Sequence, residues 1–109
     1  TTMKKMIILL VAVLSMGAAS AKTVKKVINV SGNCGTCENR IESTAKSING
    51  VASANWNIKS KKLAVVFDDK KTNIKKIETK LASVGHDTQD VKATSKVYNS
   101  LPSCCLYRK

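Results

Sequence analysis

Val24-Lys25-Lys26-Val27-Ile28-Asn29-Val30-Ser31-Gly32-Asn33-Cys34-Gly35-Thr36-Cys37 is the stretch on which the fold turns. Val24 to Val30 is strand-like, with Ile28 and Val30 on one face and Lys26 interrupting the alternation. The run breaks at Ser31-Gly32. From Glu38 onward Ile41, Ala45 and Ile48 recur at helical spacing, and Asn49-Gly50 suits a left-handed C-terminal cap. Cys34-Gly35-Thr36-Cys37 therefore joins a strand to the first turn of a helix. Free N–H groups and the helix dipole favour negative charge there, so both thiols are expected to ionise more readily than a free cysteine.

Outward from this junction the elements follow in a regular order. Ala54, Trp56 and Ile58 alternate with polar neighbours, Lys59-Ser60-Lys61 turns the chain, and Leu63, Val65 and Phe67 repeat the period of two. The spacing predicts a hairpin with one buried face. Thr72 is the expected cap of a second helix with Ile74, Ile77, Leu81 and Val84 on one stripe, ended by Gly85. Asp87 to Ala93 is read as a short last strand. The order strand-helix-strand-strand-helix-strand predicts an α+β, ferredoxin-like βαββαβ sandwich, with two helices on one face of a four-stranded antiparallel sheet. Trp56, Phe67, Ile41 and Leu81 are assigned to its core. Residues 94–109 are a C-terminal extension with Tyr98, Leu101, Pro102 and Tyr107 as anchors.

The first 21 residues have a different character. Lys4-Lys5, an apolar run from Met6 to Leu14 and the small residues Gly17 to Ala21 match the three parts of a secretory signal peptide, with cleavage expected after Ala21. The apolar run is shorter than the roughly 20 residues a membrane span requires. Thr1-Thr2 before Met3 is read as an expression remnant. The division is thus a leader at 1–21, one domain at 22–93 and a cysteine-containing tail at 94–109, in a periplasmic or secreted protein.

The chain has 19 basic and 7 acidic residues, a formal charge of +12. Loss of Lys4 and Lys5 with the leader brings this to about +10. The lysines are scattered, and no arginine and aromatic cluster accompanies them, so nucleic acid is not an expected partner. A solvated surface that can dock on an acidic acceptor protein fits better. The four cysteines, Cys34, Cys37, Cys104 and Cys105, all lie in the exported part. Adjacent Cys104 and Cys105 make a poor disulfide with one another, because bridging them distorts the backbone.

A Cys-x-x-Cys between the first strand and first helix of such a fold resembles the heavy-metal-associated domain, a family of copper chaperones, metal-pump domains and exported mercury-binding proteins. Gly50-Val51 and Val84-Gly85 fit the same pattern. The resemblance spans about residues 23–93. It implies Cys34 and Cys37 as ligands for one soft ion, most commonly Cu(I), with Hg(II), Zn(II), Ag(I) and Cd(II) as other thiolate-preferring ions. It also implies a non-catalytic protein, monomeric or a metal-bridged dimer through the same pair, that sequesters its ion or relays it to a transporter or acceptor. The family's usual Met two residues before the first cysteine is Gly32 here, so the floor of the loop must be looser or filled by another side chain. His86, in the loop after Gly85, is a candidate third ligand or neighbouring donor. Cys104 and Cys105 are further candidates if the tail folds back onto the pair, and a separate redox or crosslinking pair if it does not. The alternative function is a thiol-disulfide oxidoreductase using Cys34 or Cys37 as nucleophile. Such enzymes normally place a cis-proline opposite the motif, whereas the one proline here, Pro102, lies in the tail.

Overall fold

The computed structural model describes residues 22–108, so the expected leader and Lys109 lie outside the described residues. Strand β1 (Thr23–Asn29) leads to helix α1 (Gly35–Lys46), then β2 (Val51–Asn57), β3 (Lys62–Asp68) and helix α2 (Ile74–Ser83). The short helix α3 (Ser95–Asn99) and a 3-10 turn at Ser103–Cys105 follow in the tail. The strands form an antiparallel sheet of order β1-β3-β2. Ile28, Ala54, Trp56, Leu63, Val65 and Phe67 project from it into one core with Ile41 and Ala45 of α1 and Ile77 and Leu81 of α2. All four residues assigned to the core from their spacing are buried there. No helix among the described residues is long and apolar enough to cross a membrane.

Three local expectations are corrected. The fourth strand is reduced, among the described residues, to a single bridge between Val30 and Thr88. Polar side chains in this segment bind their own backbone: the Thr88 hydroxyl donates to Val91 O and accepts from Val91 N, and the Asp87 carboxylate accepts from Ala93 N. Such local bonds compete with a sheet ladder. The Gln89 side chain replaces one rung by accepting from Asn29 N. At α2 the cap is Asn73, whose side chain accepts from Lys76 N, while Thr72 is buried one residue earlier. Ile58 is 40% exposed because β2 ends at Asn57 and Ile58 lies in the hairpin turn, where the chain reverses through Lys61 at φ of 61° and the inward alternation stops at Trp56.

One buried group in α2 carries a pH-dependent cost. Glu78 is 1% exposed, and its Oε2 has no hydrogen-bond partner among the described residues. Burial, and then the charge of Asp90, raise its pKa above 4.5, against the smaller opposing effects of the Asp90 N–H and the Thr88 hydroxyl. A carboxyl whose folded pKa is raised contributes stability that is complete below its unfolded value and is lost as pH rises through the folded value. Glu78→Gln is therefore expected to flatten the fall in thermal midpoint between pH 4.5 and 7 and to raise the midpoint at pH 7 by several degrees, roughly 1 kcal/mol in this size range. Parallel melting curves for the two proteins across that range would show that Glu78 carries no such cost.

Candidate metal centre

The site is built at the junction of β1 and α1. Cys34 is the N-cap of α1, with extended φ and ψ of −145° and 176°, and its carbonyl accepts from Glu38 N at 3.0 Å. Its thiol is thereby held at the positive end of the helix. Cys37, in the first turn, is fully buried, and the two sulfurs are 3.5 Å apart.

Trp56 forms the floor. A side chain at Gly32 would place its Cβ 3.1 Å from Cys37 Cβ and 3.1 Å from two indole carbons of Trp56. The ring occupies the space beneath the loop, which is why the loop carries glycine at this position. The indole N–H donates to Val30 O at 2.9 Å, and Trp56 N donates to the Glu42 carboxylate at 2.9 Å. Glu42 of α1 therefore ties that helix to β2. Lys61 Nζ lies 5.4 Å from the indole centroid.

The tail folds back onto the cysteine pair. Cys104 Sγ lies 3.1 Å from Cys34 Sγ, and Cys105 Sγ lies 3.6 Å from it. Cys104 is exposed, Cys105 fully buried, and all four cysteines are free thiols. Contact with the Cys104 thiol, helped by the Cys37 N–H and the Cys37 and Cys105 thiols, outweighs desolvation and draws Cys34 from 9.0 to about 6. Burial, and then contact with Cys37, pushes Cys105 up to about 12, although the Arg40 guanidinium, 3.3 Å from its sulfur, acts the other way. The surroundings thus favour the ionised form of Cys34 and disfavour that of Cys105.

Several bonds fix the tail. The Tyr107 hydroxyl donates to Gly85 O at 2.6 Å and accepts from Asp87 N at 2.8 Å. Arg108 forks onto the Asp87 carboxylate at 3.0 and 2.7 Å and donates to Ala93 O at 2.7 Å. This pair holds Asp87 below the usual carboxylate range even though burial acts in the opposite direction. Leu101 is buried against Gly85, whose φ of +109° and lack of a Cβ permit the approach: an added Cβ would lie 2.8 Å from Leu101 Cδ2. Of the four expected anchors, Tyr98 and Leu101 are buried and Tyr107 packs against the core, whereas Pro102 is exposed and starts the 3-10 turn.

His86 has a different setting. Its ring is fully buried, with Nδ1 2.8 Å from Ser31 O and the plane stacked on Tyr107 at 5.9 Å between centroids. A carbonyl only accepts, so Nδ1 carries the proton; burial keeps the ring's pKa below its ordinary value and the ring neutral. Among the described residues, the ligand atoms that lie mutually within 4.8 Å are the sulfurs of Cys34, Cys104 and Cys105, without His86.

A profile of the heavy-metal-associated domain matches residues 27–87, which include the end of β1, the thiol loop, both main helices, β2, β3 and His86. The chain belongs to the heavy-metal-associated domain family. The copper chaperone CopZ of Staphylococcus aureus is 31% identical over 64 residues, 58% of this chain and 94% of that protein. A solution structure of the putative copper-ion-binding protein of Bacillus anthracis aligns with a TM-score of 0.61 at 30% identity, over 64% of this chain and all of that one. The water-soluble region of the P-type ATPase CopA of Bacillus subtilis aligns with a TM-score of 0.58 at 29% identity, over 62% of this chain and 46% of that one. The match ends at Asp87, so the Cys104-Cys105 tail lies beyond the part shared with the family profile.

For this heavy-metal-associated domain, sequence reasoning missed Arg40, Asp87 and Arg108. A signal was present: the chain has only two arginines among its 19 basic residues, Arg40 and Arg108, and both serve the tail or its thiols. Arginine offers a rigid planar fork for such contacts where lysine offers a flexible point charge.

Proposed function

We propose that this protein is an exported, non-enzymatic carrier of a soft metal ion, Cu(I) first among them, taken up at Cys34 and Cys37. The observation that carries the reading is the placement of the Cys34 sulfur at the N-terminus of α1, 3.5 Å from that of Cys37. Polarizable thiolates select Cu(I) over hard ions, and a low thiol pKa lets the ion displace few protons on binding. The relatives' names as copper chaperones support copper, and a pump domain of the same fold among the similar structures supports an ATPase-like acceptor. Exposed Lys25, Lys26, Lys70, Lys71, Lys75 and Lys76 suit docking on an acidic acceptor. Export to the periplasm or cell exterior rests on the signal-like first 21 residues. The thiol-disulfide alternative is set aside because the named relatives are carriers or parts of pumps.

The test is anaerobic titration of the reduced protein with Cu(I) against a competing chelator. Wild type is expected to take one ion ahead of the chelator, and Cys34→Ser/Cys37→Ser to yield it. A wild-type protein that cannot compete would overturn the copper assignment. Delivery to an acidic acceptor domain should slow as salt is raised, and a rate indifferent to salt would remove the docking element.

A further inference from the structure

The tail sulfurs have no part in a two-cysteine carrier, yet the fold spends many of its polar contacts on placing them. Cys34, Cys104 and Cys105 form a closed triangle of sulfurs with sides of 3.1, 3.6 and 3.9 Å. Three thiolates around one ion, at a metal-sulfur bond of about 2.3 Å, stand about 4 Å apart. This triangle therefore needs only sub-ångström widening to take an ion at its centre. Two thiolates in line across an ion stand about 4.6 Å apart, so the Cys34-Cys37 pair, at 3.5 Å, would have to open by more than 1 Å.

Charge and rigidity agree with the distances. A Cu(I) ion with three thiolates carries a net charge of −2, and Arg40 Nη1 lies 3.3 Å from Cys105 Sγ while the α1 N-terminus faces Cys34. Cys105 is fixed in the core, and the residues after it are held by Tyr107 on Gly85 and Asp87 and by Arg108 on Asp87 and Ala93. The 3-10 turn at Ser103–Cys105 then presents both adjacent thiols to the same point.

We propose that the C-terminal tail is a built-in ligand arm, so that the resting loaded protein holds its soft ion on Cys34, Cys104 and Cys105, with Cys37 in reserve for exchange. The inference rests on the carrier reading and changes its character. With the tail docked, the side of the ion that an acceptor would approach is occupied by the protein's own sulfurs, and the domain retains its cargo until the tail is displaced. Cys34 belongs to both the triangle and the Cys34-Cys37 pair, so the ion can pass between them without leaving that sulfur. Binding forms three metal-sulfur bonds, sends any thiol protons to solvent and leaves the metal's oxidation state unchanged.

X-ray absorption at the copper edge on the reduced protein, loaded one-to-one with Cu(I), counts the sulfurs. Wild type is expected to show about three and Cys104→Ser, a change at an exposed position that should leave the fold intact, about two. Arg108→Gln keeps all four thiols and loosens only the clamp. It should still bind Cu(I) but surrender it to a chelator several-fold faster than wild type, with circular dichroism confirming the fold. Two sulfurs in wild type, or identical spectra and release rates for all three proteins, would overturn the ligand arm while leaving the two-cysteine carrier standing. Failure of wild type to bind Cu(I) at all would overturn both.

Discussion

Replacing Trp56 by alanine is expected to destabilise the domain by about 3–5 kcal/mol and to lower its thermal midpoint by roughly 15–30 °C. The side chain is 3% exposed and touches three parts of the molecule at once. Its ring lies under Gly32 and beside Cys37, its N–H satisfies Val30 O at the end of the first strand, and its outer face receives Lys61. Truncation leaves a cavity beneath the thiol loop and an unpaired carbonyl, and both costs fall where the loop is held. Trp56→Phe keeps most of the packing and removes the hydrogen bond, so it should cost about 1 kcal/mol. Urea denaturation of the reduced proteins measures both. A loss below 1 kcal/mol for the alanine variant would mean that the loop is supported from elsewhere.

The second large effect is expected at Gly32. The family's usual methionine at this position collides with the occupant already there, because even a Cβ would stand 3.1 Å from the Trp56 ring and from Cys37 Cβ. Gly32→Met is expected to cost about 1–3 kcal/mol by overpacking and to shift Cys37 away from Cys34. Trp56→Leu makes room, so the double variant should recover much of that loss, with a coupling of at least about 1 kcal/mol between the two sites. A double-mutant cycle in urea gives the coupling. Strict additivity would show that Gly32 and Trp56 do not share one space, and that the glycine is present for another reason.

These two positions illustrate why a site residue can escape a sequence reading. Trp56 was legible as a core residue from its alternation with Ser53, Asn55 and Asn57. Its role as the floor of the thiol loop was not, because alternation tells which face a side chain takes and not which loop it reaches. Gly32 signalled a departure from the family's pattern, but the side chain that compensates sits 24 residues away on another strand. The fourth strand failed for a related reason. Val91 and its neighbours offered weak strand propensity, while Asp87, Thr88 and Gln89 held the means to satisfy the backbone locally, and side-chain bonds of a few residues' reach won over a ladder.

The sequence by itself determined the βαββα core of this protein, through period-two and helical spacings that need only local geometry and the burial of one face. It also determined the position of Cys34 and Cys37 at the start of a helix, since the strand break at Ser31-Gly32 and the helical pattern after Glu38 leave them nowhere else. The tertiary structure alone decided where the tail goes. Cys104 and Cys105 reach Cys34 across about 70 residues of intervening chain because Tyr107 and Arg108 close on Gly85 and Asp87, and because Leu101 fits against a glycine. It likewise turned His86 inward onto Ser31 and Tyr107. Contacts of this kind depend on which surfaces meet once the helices have packed, and no repeat or spacing along the chain encodes them.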